Sequence, residues 1–370
     1  MFTSPCLGVY NRGVSPSLSE LSEIQRFIII ELPAHPQDIA KVAGEKFGIT
    51  RQAVNRHLRN LVELGVLTAI GETRNRQYTF PMLRRESAWL TITPQLEEDV
   101  VWREKVAPAL IGVPENVLDI CRYGVTEIVN NAIDHSGSPK VGIEIEYDAS
   151  RVYIIIIDQG IGIFRKIKEY CGLDDERLAI LELSKGKLTT DPNRHTGEGI
   201  FFTSRMFDHF SILSGYLYVG CRRSGGDWLM KDRDHRVDGT SVHMEISPLS
   251  THTTKEVFDR YATDHDDYAF SRTHVLVALA KLSHGEKLVS RSQAKRVMAR
   301  LERFKEVVLD FEGIQEIGPA FADEIFRVFR SEHPDTHITP INITDEVVRM
   351  IRRAETATHG GSPPTGTSHP

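Results

Sequence analysis

Apolar residues recur every three or four positions along some stretches of the chain and form unbroken runs along others, and this alternation predicts where helices and strands lie. Helical spacing covers residues 20–32, 37–47 and 51–64, interrupted by His35-Pro36 and by Gly48-Ile49-Thr50. Thr50 suits the N-cap of the third helix, because its hydroxyl accepts a first-turn N–H that has no partner within the helix. That helix is expected to bury Val54, Leu58, Leu61 and Leu64 and to turn Arg51, Gln52, Asn55, Arg56 and Arg59 outward. Gly65-Val66-Leu67 followed by Arg74–Phe80 predicts a short β-hairpin with basic residues near its tip. Residues 83–115 read as a connector, helical from Glu97 to Leu110.

Between Tyr123 and His135, the residues Val125, Ile128, Val129 and Ala132 form a buried helical stripe, while Glu127, Asn131 and His135 fall four apart on another face. A carboxylate and a carboxamide thus point the same way, one turn apart. An Asn oxygen suits a Mg²⁺ ion that already carries phosphates, and a Glu one turn upstream can orient or deprotonate a hydroxyl nucleophile. A plain surface helix with a wet face would show the same pattern. Val152–Ile157 reads as a buried strand ended by Asp158-Gln-Gly-Ile-Gly162. There the acid can accept a bond from an exocyclic amine, and Gly160 and Gly162 permit a tight turn. A polar, lid-like stretch follows. His195-Thr-Gly-Glu-Gly-Ile200 then opens a helix, so Gly197 and Gly199 can offer backbone N–H groups to phosphates, and Asp238–Ile246 is a strand entered through Gly239-Thr240.

The last block alternates again: helix Ser290–Phe304, strand Val307–Phe311, helix Pro319–Phe329, strand His337–Ile343 and helix Asp345–Arg353. Strand and helix in alternation predict a small α/β layer. On Pro319–Phe329 the spacing buries Phe321, Ile325 and Phe329 and leaves Gln315, Glu316, Asp323 and Arg327 as a polar flank. Gly, Pro, Ser and Thr after residue 355 predict a disordered tail.

Glu127-x-x-x-Asn131, Asp158-x-Gly160-x-Gly162, Gly197-x-Gly199 and Gly239-Thr240, in that order, resemble the ATP-binding domain shared by gyrase, the heat-shock chaperone, histidine kinases and MutL, the GHKL class. The resemblance implies an α/β sandwich that binds ATP and Mg²⁺. In it Asn131 would hold the metal, Asp158 would bind the adenine amine with Thr240 in support, the four glycines would shape the lid and phosphate loop, and Glu127 would be the catalytic base. Three helices and a hairpin at residues 20–82 resemble a winged helix-turn-helix. That implies Gln52, Asn55, Arg56 and Arg59 reading base edges or phosphates, with Arg74 and Arg76 gripping the DNA backbone from the wing. A winged helix used for protein contacts would carry the same residues. Val308–Gly318 resembles STAS-type domains, which partner serine kinases of the anti-sigma-factor class. STAS antagonists carry a phosphoacceptor Ser after this strand, whereas Pro319-Ala320 stand here and no Ser, Thr or Tyr lies between Glu312 and Arg330. Docking is then the expected role of the module.

The expected fold is α/β and multidomain: an N-terminal arm (1–19), a winged helix (20–82), a connector (83–115), a GHKL-type domain (116–250), a linker (251–271), a STAS-like domain (272–355) and a tail (356–370). The 370 residues, 40% hydrophobic and 26% charged, have ordinary globular composition. A formal net charge of −6 excludes a chain that is basic overall, so a nucleic-acid surface must be local. Cys6, Cys121, Cys171 and Cys221 are far apart, which predicts reduced thiols in a cytoplasmic protein and no structural zinc. No run approaches the roughly 18–20 apolar residues that span a bilayer. The connector has no histidine, where a sensor histidine kinase would place its phosphoacceptor. The expected function is a regulator that couples Mg-ATP binding and slow hydrolysis to DNA binding, with a protein partner or second subunit on the STAS-like module and a homodimer as one arrangement. The alternatives are a serine/threonine kinase of the anti-sigma type acting in trans and a nucleotide-controlled interaction scaffold.

Overall fold

Ser22 and Gln25 start the first helix by satisfying each other: the Ser22 amide donates to Gln25 Oε1 at 2.9 Å. In the computed structural model, which describes residues 18–71, 76–188, 196–223, 228–264, 267–282 and 286–356, this helix is α1 (Glu23–Glu31), followed by α2 (Ile39–Phe47) and α3 (Arg51–Glu63). Thr50 caps α3, its Oγ1 accepting from the Ala53 amide at 3.3 Å. Gln25 Nε2 donates to Asn60 Oδ1 at 2.7 Å and ties α1 to α3. Ile28, Ile29, Leu32, Ala43, Val54, Leu58, Leu61 and Val66 fill the core between them. Leu64, expected inside, is 47% exposed, because α3 ends one residue earlier and Gly65 turns the chain away. β1 (Thr68–Ile70) and β2 (Gln77–Thr79) form the antiparallel hairpin.

A five-stranded sheet in the order β3-β4-β5-β7-β6 builds the rest of this part of the chain. The strands are β3 (Arg84–Thr91), β4 (Lys140–Tyr147), β5 (Val152–Asp158), β6 (His209–Arg222) and β7 (Trp228–Ile246). The segment read as a connector thus begins as an edge strand, paired antiparallel with β4 from Arg84↔Tyr147 to Thr91↔Lys140. Its second half is helical in three short pieces: α4 (Glu98–Val101), a π turn at Trp102–Val106 and a 3₁₀ turn at Ala107–Leu110. The long helix α5 (Glu115–His135) packs on β4 and β5 through a stripe that includes Val125, Ile128, Val129 and Ala132.

The described residues divide into two compact units, each interleaved in sequence. The first draws on residues 1–162, 203–226 and 231–254, the second on 163–202, 227–230 and 255–370. After β5 the chain passes into the second unit as α6 (Ile163–Cys171) and α7 (Leu178–Lys185), and it returns within α8 (Gly199–Met206). Within the stretch expected to be a polar lid, Ile163–Cys171 and Leu178–Lys185 are therefore helical, and every residue of α7 is buried. Five of its first six residues are aliphatic, and its two charges, Glu182 and Lys185, neutralise each other at 2.7 Å.

The second unit is a parallel three-stranded sheet, β10-β11-β12, under helices. Leading into it are α9 (Thr254–Tyr261) and the hairpin β8 (Ala262–Asp264) and β9 (Asp267–Phe270), in the region read as a linker. Aromatic packing explains that order, with Phe270 at 4.5 Å from Phe201 and Phe258 at 4.7 Å from Phe202, centroid to centroid. The sheet strands are β10 (Arg272–Leu276), β11 (Glu306–Asp310) and β12 (His337–Ile341), joined by α10 (Arg291–Met298), α11 (Pro319–Asp323) running through a π turn into α12 (Arg330–Glu332), and followed by α13 (Asp345–Thr356). Thr273, Val275, Val307, Leu309 and Ile338 are buried on one face, while Arg272, His274 and Val308 on the other are half-exposed. Phe321, Ile325 and Phe329 are buried as their spacing predicts. α10 stops at Met298 instead of reaching Phe304: Ala299 is extended and Arg300 is left-handed, φ 68°. The expected tail beyond Thr356 lies outside the described residues.

Candidate functional site

β5 ends on Asp158, 7% exposed and paired across the ladder with Thr240 of β7. Its Oδ1 accepts from the Gly160 amide at 2.9 Å and from the Thr240 amide at 3.3 Å. Burial raises the carboxyl above the ordinary 3.8, while those two amides and the Thr240 hydroxyl pull it back. The Asp158 turn is riveted to the end of α5. The Ile161 amide donates to Ser136 O at 2.9 Å, and Gly160 lies so close that a Cβ would stand 2.0 Å from that carbonyl. Ser136 is fixed in turn, its Oγ donating to Ala132 O at 2.5 Å. On the far side Gly239, φ 74°, brings its backbone to where a Cβ would meet Asp158 O at 2.1 Å. Ser214 Oγ donates to Gly239 O at 2.7 Å and borders Gly162.

The structure therefore gathers Asp158, Gly160, Gly162 and Thr240 into one knot and docks the C-terminus of α5 against it. Glu127 and Asn131 stand on that helix, half-buried and four residues apart with His135. Among the described residues no three His, Cys, Asp or Glu side chains stand together as a metal cage. A half-buried Asn oxygen fits Mg²⁺ that arrives on a triphosphate, since such an ion takes most of its ligands from phosphate and water. Ser136, Ser138 and Ser214 were not foreseen. The only signal was a small polar cluster, Ser136-Gly137-Ser138, directly after a long helix.

Gly197 and Gly199 belong to the second unit. Gly197 O accepts from the Leu188 amide at 3.1 Å, and Gly199 is the first residue of α8, while His195 lies outside the described residues. Lys187 and Glu198 are half-buried beside them; burial lowers the lysine and raises the glutamate, and each offsets the shift in the other. The base of this loop is anchored in the C-terminal layer. Lys185, 0% exposed, donates from Nζ to Glu182 Oε1 at 2.7 Å, to Arg296 O at 2.9 Å and to Ala299 O at 3.0 Å. It thereby caps the last carbonyls of α10, which have no helical partner. Arg300 closes the network with Nε at 2.8 Å from Glu182 Oε2 and Nη1 at 3.1 Å from Lys187 O. The left-handed turn at Arg300 aims its guanidinium there, which is why α10 ends early.

Gln52, Arg56, Arg59 and Arg76 are exposed and Asn55 is half-buried, the first three and Asn55 on α3 and Arg76 just before β2. Arg59 Nε donates to Asn55 O at 3.3 Å, along the helix surface. Arg74 lies outside the described residues. No helix among the described residues is long and apolar enough to cross a membrane.

A comparison with curated proteins returned no match to the chain. Residues 293–348, from α10 through the start of α13, match the family model described as a STAS-like domain of unknown function (DUF4325). The C-terminal α/β layer is therefore STAS-like.

Proposed function

We propose that the chain is an ATP-switched regulator, in which a GHKL-type site on α5, β5 and β7 binds Mg-ATP and a winged helix carrying α3 and the β1-β2 hairpin binds DNA. The observation that carries the nucleotide reading is the Asp158 knot. A carboxyl withdrawn from water, with amide and hydroxyl donors around it and no ion-pair partner among the described residues, is costly for packing alone. An adenine amine would add a donor from outside the protein. Asn131 would hold Mg²⁺, which neutralises phosphate charge when bound, and Glu127 would orient or deprotonate the attacking water. For DNA, the supporting feature is a face of Gln52, Arg56 and Arg59 exposed on a chain of net charge −6, a local basic surface.

Calorimetry with Mg-ATP tests the first half. Wild type should bind, and Asn131→Ala should bind far more weakly with an unchanged melting temperature, because the apolar stripe of α5 is untouched. Equal affinity in the two proteins would refute the site. Binding of short duplexes across a salt series, with and without ATP, tests the second half.

A further inference from the structure

The open face of the STAS-like sheet carries a histidine, an aspartate and an asparagine joined by hydrogen bonds. His274 lies in the middle of the edge strand β10, its side chain 36% exposed, with Nε2 at 2.9 Å from Oδ2 of Asp310. Asp310 ends the central strand β11 and is 3% exposed. Its other oxygen accepts from the Glu312 amide and from Asn342 Nδ2, both at 2.9 Å. Asn342 makes that contact from a left-handed backbone, φ 52°, which a non-glycine residue adopts at a cost.

Both oxygens of a buried carboxylate are thus committed, one of them to a partly exposed imidazole. Asp310 and Asn342 stand at the C-terminal end of the parallel sheet, where α/β layers bind ligands, and His274 reaches them from β10. A carboxylate on Nε2–H fixes the tautomer and leaves the lone pair on Nδ1. Arg272 places a guanidinium on the same face two residues earlier, paired with Glu306. The sequence from Glu312 to Arg330 offers no hydroxyl, and the imidazole of His274 places a ring nitrogen on this face as a nucleophile.

We propose that His274 is a phosphoacceptor that takes a phosphoryl group from a nucleoside triphosphate, with Asp310 as its positioning residue. The Nδ1 lone pair forms the N–P bond while the P–O bond to the leaving nucleoside diphosphate breaks, its electron pair departing on the diphosphate oxygen. The Nε2 proton stays hydrogen-bonded to Asp310, whose charge balances the phosphoimidazolium. Where ATP is the donor, the proposal rests on the nucleotide reading above.

Phosphoramidate, a small donor that needs no nucleotide site, separates the two. In the full chain His274 should be modified at least about tenfold faster than His337, which stands exposed on β12 of the same sheet. The adduct should be acid-labile and absent from His274→Gln. Asp310→Asn should slow it by roughly 10–100-fold, the usual cost of removing a carboxylate that orients a histidine. Asn342→Gly, which keeps the left-handed backbone, should slow it less and guards against a folding defect in the aspartate variant. Equal rates at His274 and His337, or an unchanged rate in Asp310→Asn with native circular dichroism, would reduce the triad to a structural contact and overturn the proposal. Mg-ATP then supplies the second arm. Label on His274 supports the full proposal, whereas rapid phosphoramidate labelling without ATP labelling, in protein shown to bind Mg-ATP, overturns the nucleotide as donor. If Mg-ATP does not bind at all, the nucleotide site fails while the phosphoramidate result still judges His274.

Discussion

Glu182→Met should loosen α7 from the STAS-like layer more than any other single change to that helix. Glu182 and Lys185 are 4% and 0% exposed at the side chain, and Arg300 is 18% exposed. Removing the carboxylate leaves the Lys185 ammonium wholly buried, with only the carbonyls of Arg296 and Ala299 as partners. Orphaning one member of a buried pair costs about 3–5 kcal/mol. Lys185→Met is milder, because Glu182 keeps Arg300, and the loss is the unmet carbonyls at the end of α10, about 2–3 kcal/mol. Combining the two removes both charges, so the double variant should be more stable than Glu182→Met alone by at least about 1 kcal/mol. The measurement is hydrogen exchange of peptides covering 178–188, which reports on this helix locally. At 1.4 kcal/mol per factor of ten, exchange there should quicken roughly 10²- to 10³-fold in Glu182→Met. Additive effects of the two single changes, or unaltered exchange, would show that the network is not what holds α7.

The remaining predictions concern the proposed sites. Asp158→Asn should weaken ATP binding about 10–100-fold, the worth of a charge-assisted hydrogen bond to the adenine amine. Because burial raises the native carboxyl above 3.8, its contribution to stability is full below pH 3.8 and is lost as pH rises through the native value. The neutral Asn variant should therefore melt no lower than wild type at pH 7, with any advantage vanishing near pH 3; a lower melting temperature at pH 7 would contradict the assigned cause. Glu127→Ala should retain ATP and slow its turnover by about 10²–10⁴, and unchanged phosphate release would move the base elsewhere. Arg56→Ala and Arg59→Ala should leave ATP affinity alone, and each lost phosphate contact should flatten the plot of log affinity against log salt by about one; identical salt slopes would remove α3 from the interface.

Elements with a strong period were readable: α3 with its Thr50 cap, the buried run of β5 closing on Asp158, and β11, β12, the Pro319–Phe329 helix and α13 lie within a few residues of their sequence-based bounds, whereas β10 was not read as a strand. β3 was not, because an edge strand with Arg84, Arg85, Glu86 and Ser87 at its start has too few apolar positions to alternate. Residues 251–271 were missed for a different reason. Phe258, Tyr261 and Phe270 gain their order from Phe201 and Phe202, residues distant in sequence that no local window contains. α10 was read too long because Leu301 and Phe304 keep the helical period across a break made by Arg300, and the break is compensated by Lys185, again far away in the chain.

That last misreading bears most on function. Lys185 O accepts from Thr273 Oγ1 of β10 at 2.8 Å, Lys187 donates from Nζ to Arg303 O at 3.1 Å, and Leu188 donates to Gly197 O. Each link is short, and together they run from the STAS-like sheet to Gly197. A displacement of β10 or of the turn at Arg300 cannot then leave Gly197 where it was without breaking one of these hydrogen bonds. Buried packing of this kind switches between discrete arrangements more readily than it deforms. A ligand shifts such an equilibrium only by the difference in its affinity for the two arrangements. A ligand held at Gly197 and one engaging the open face around His274 would bias the same element from opposite ends. By linkage the effect of either on the affinity for the other is reciprocal, so the coupling can be measured from either side.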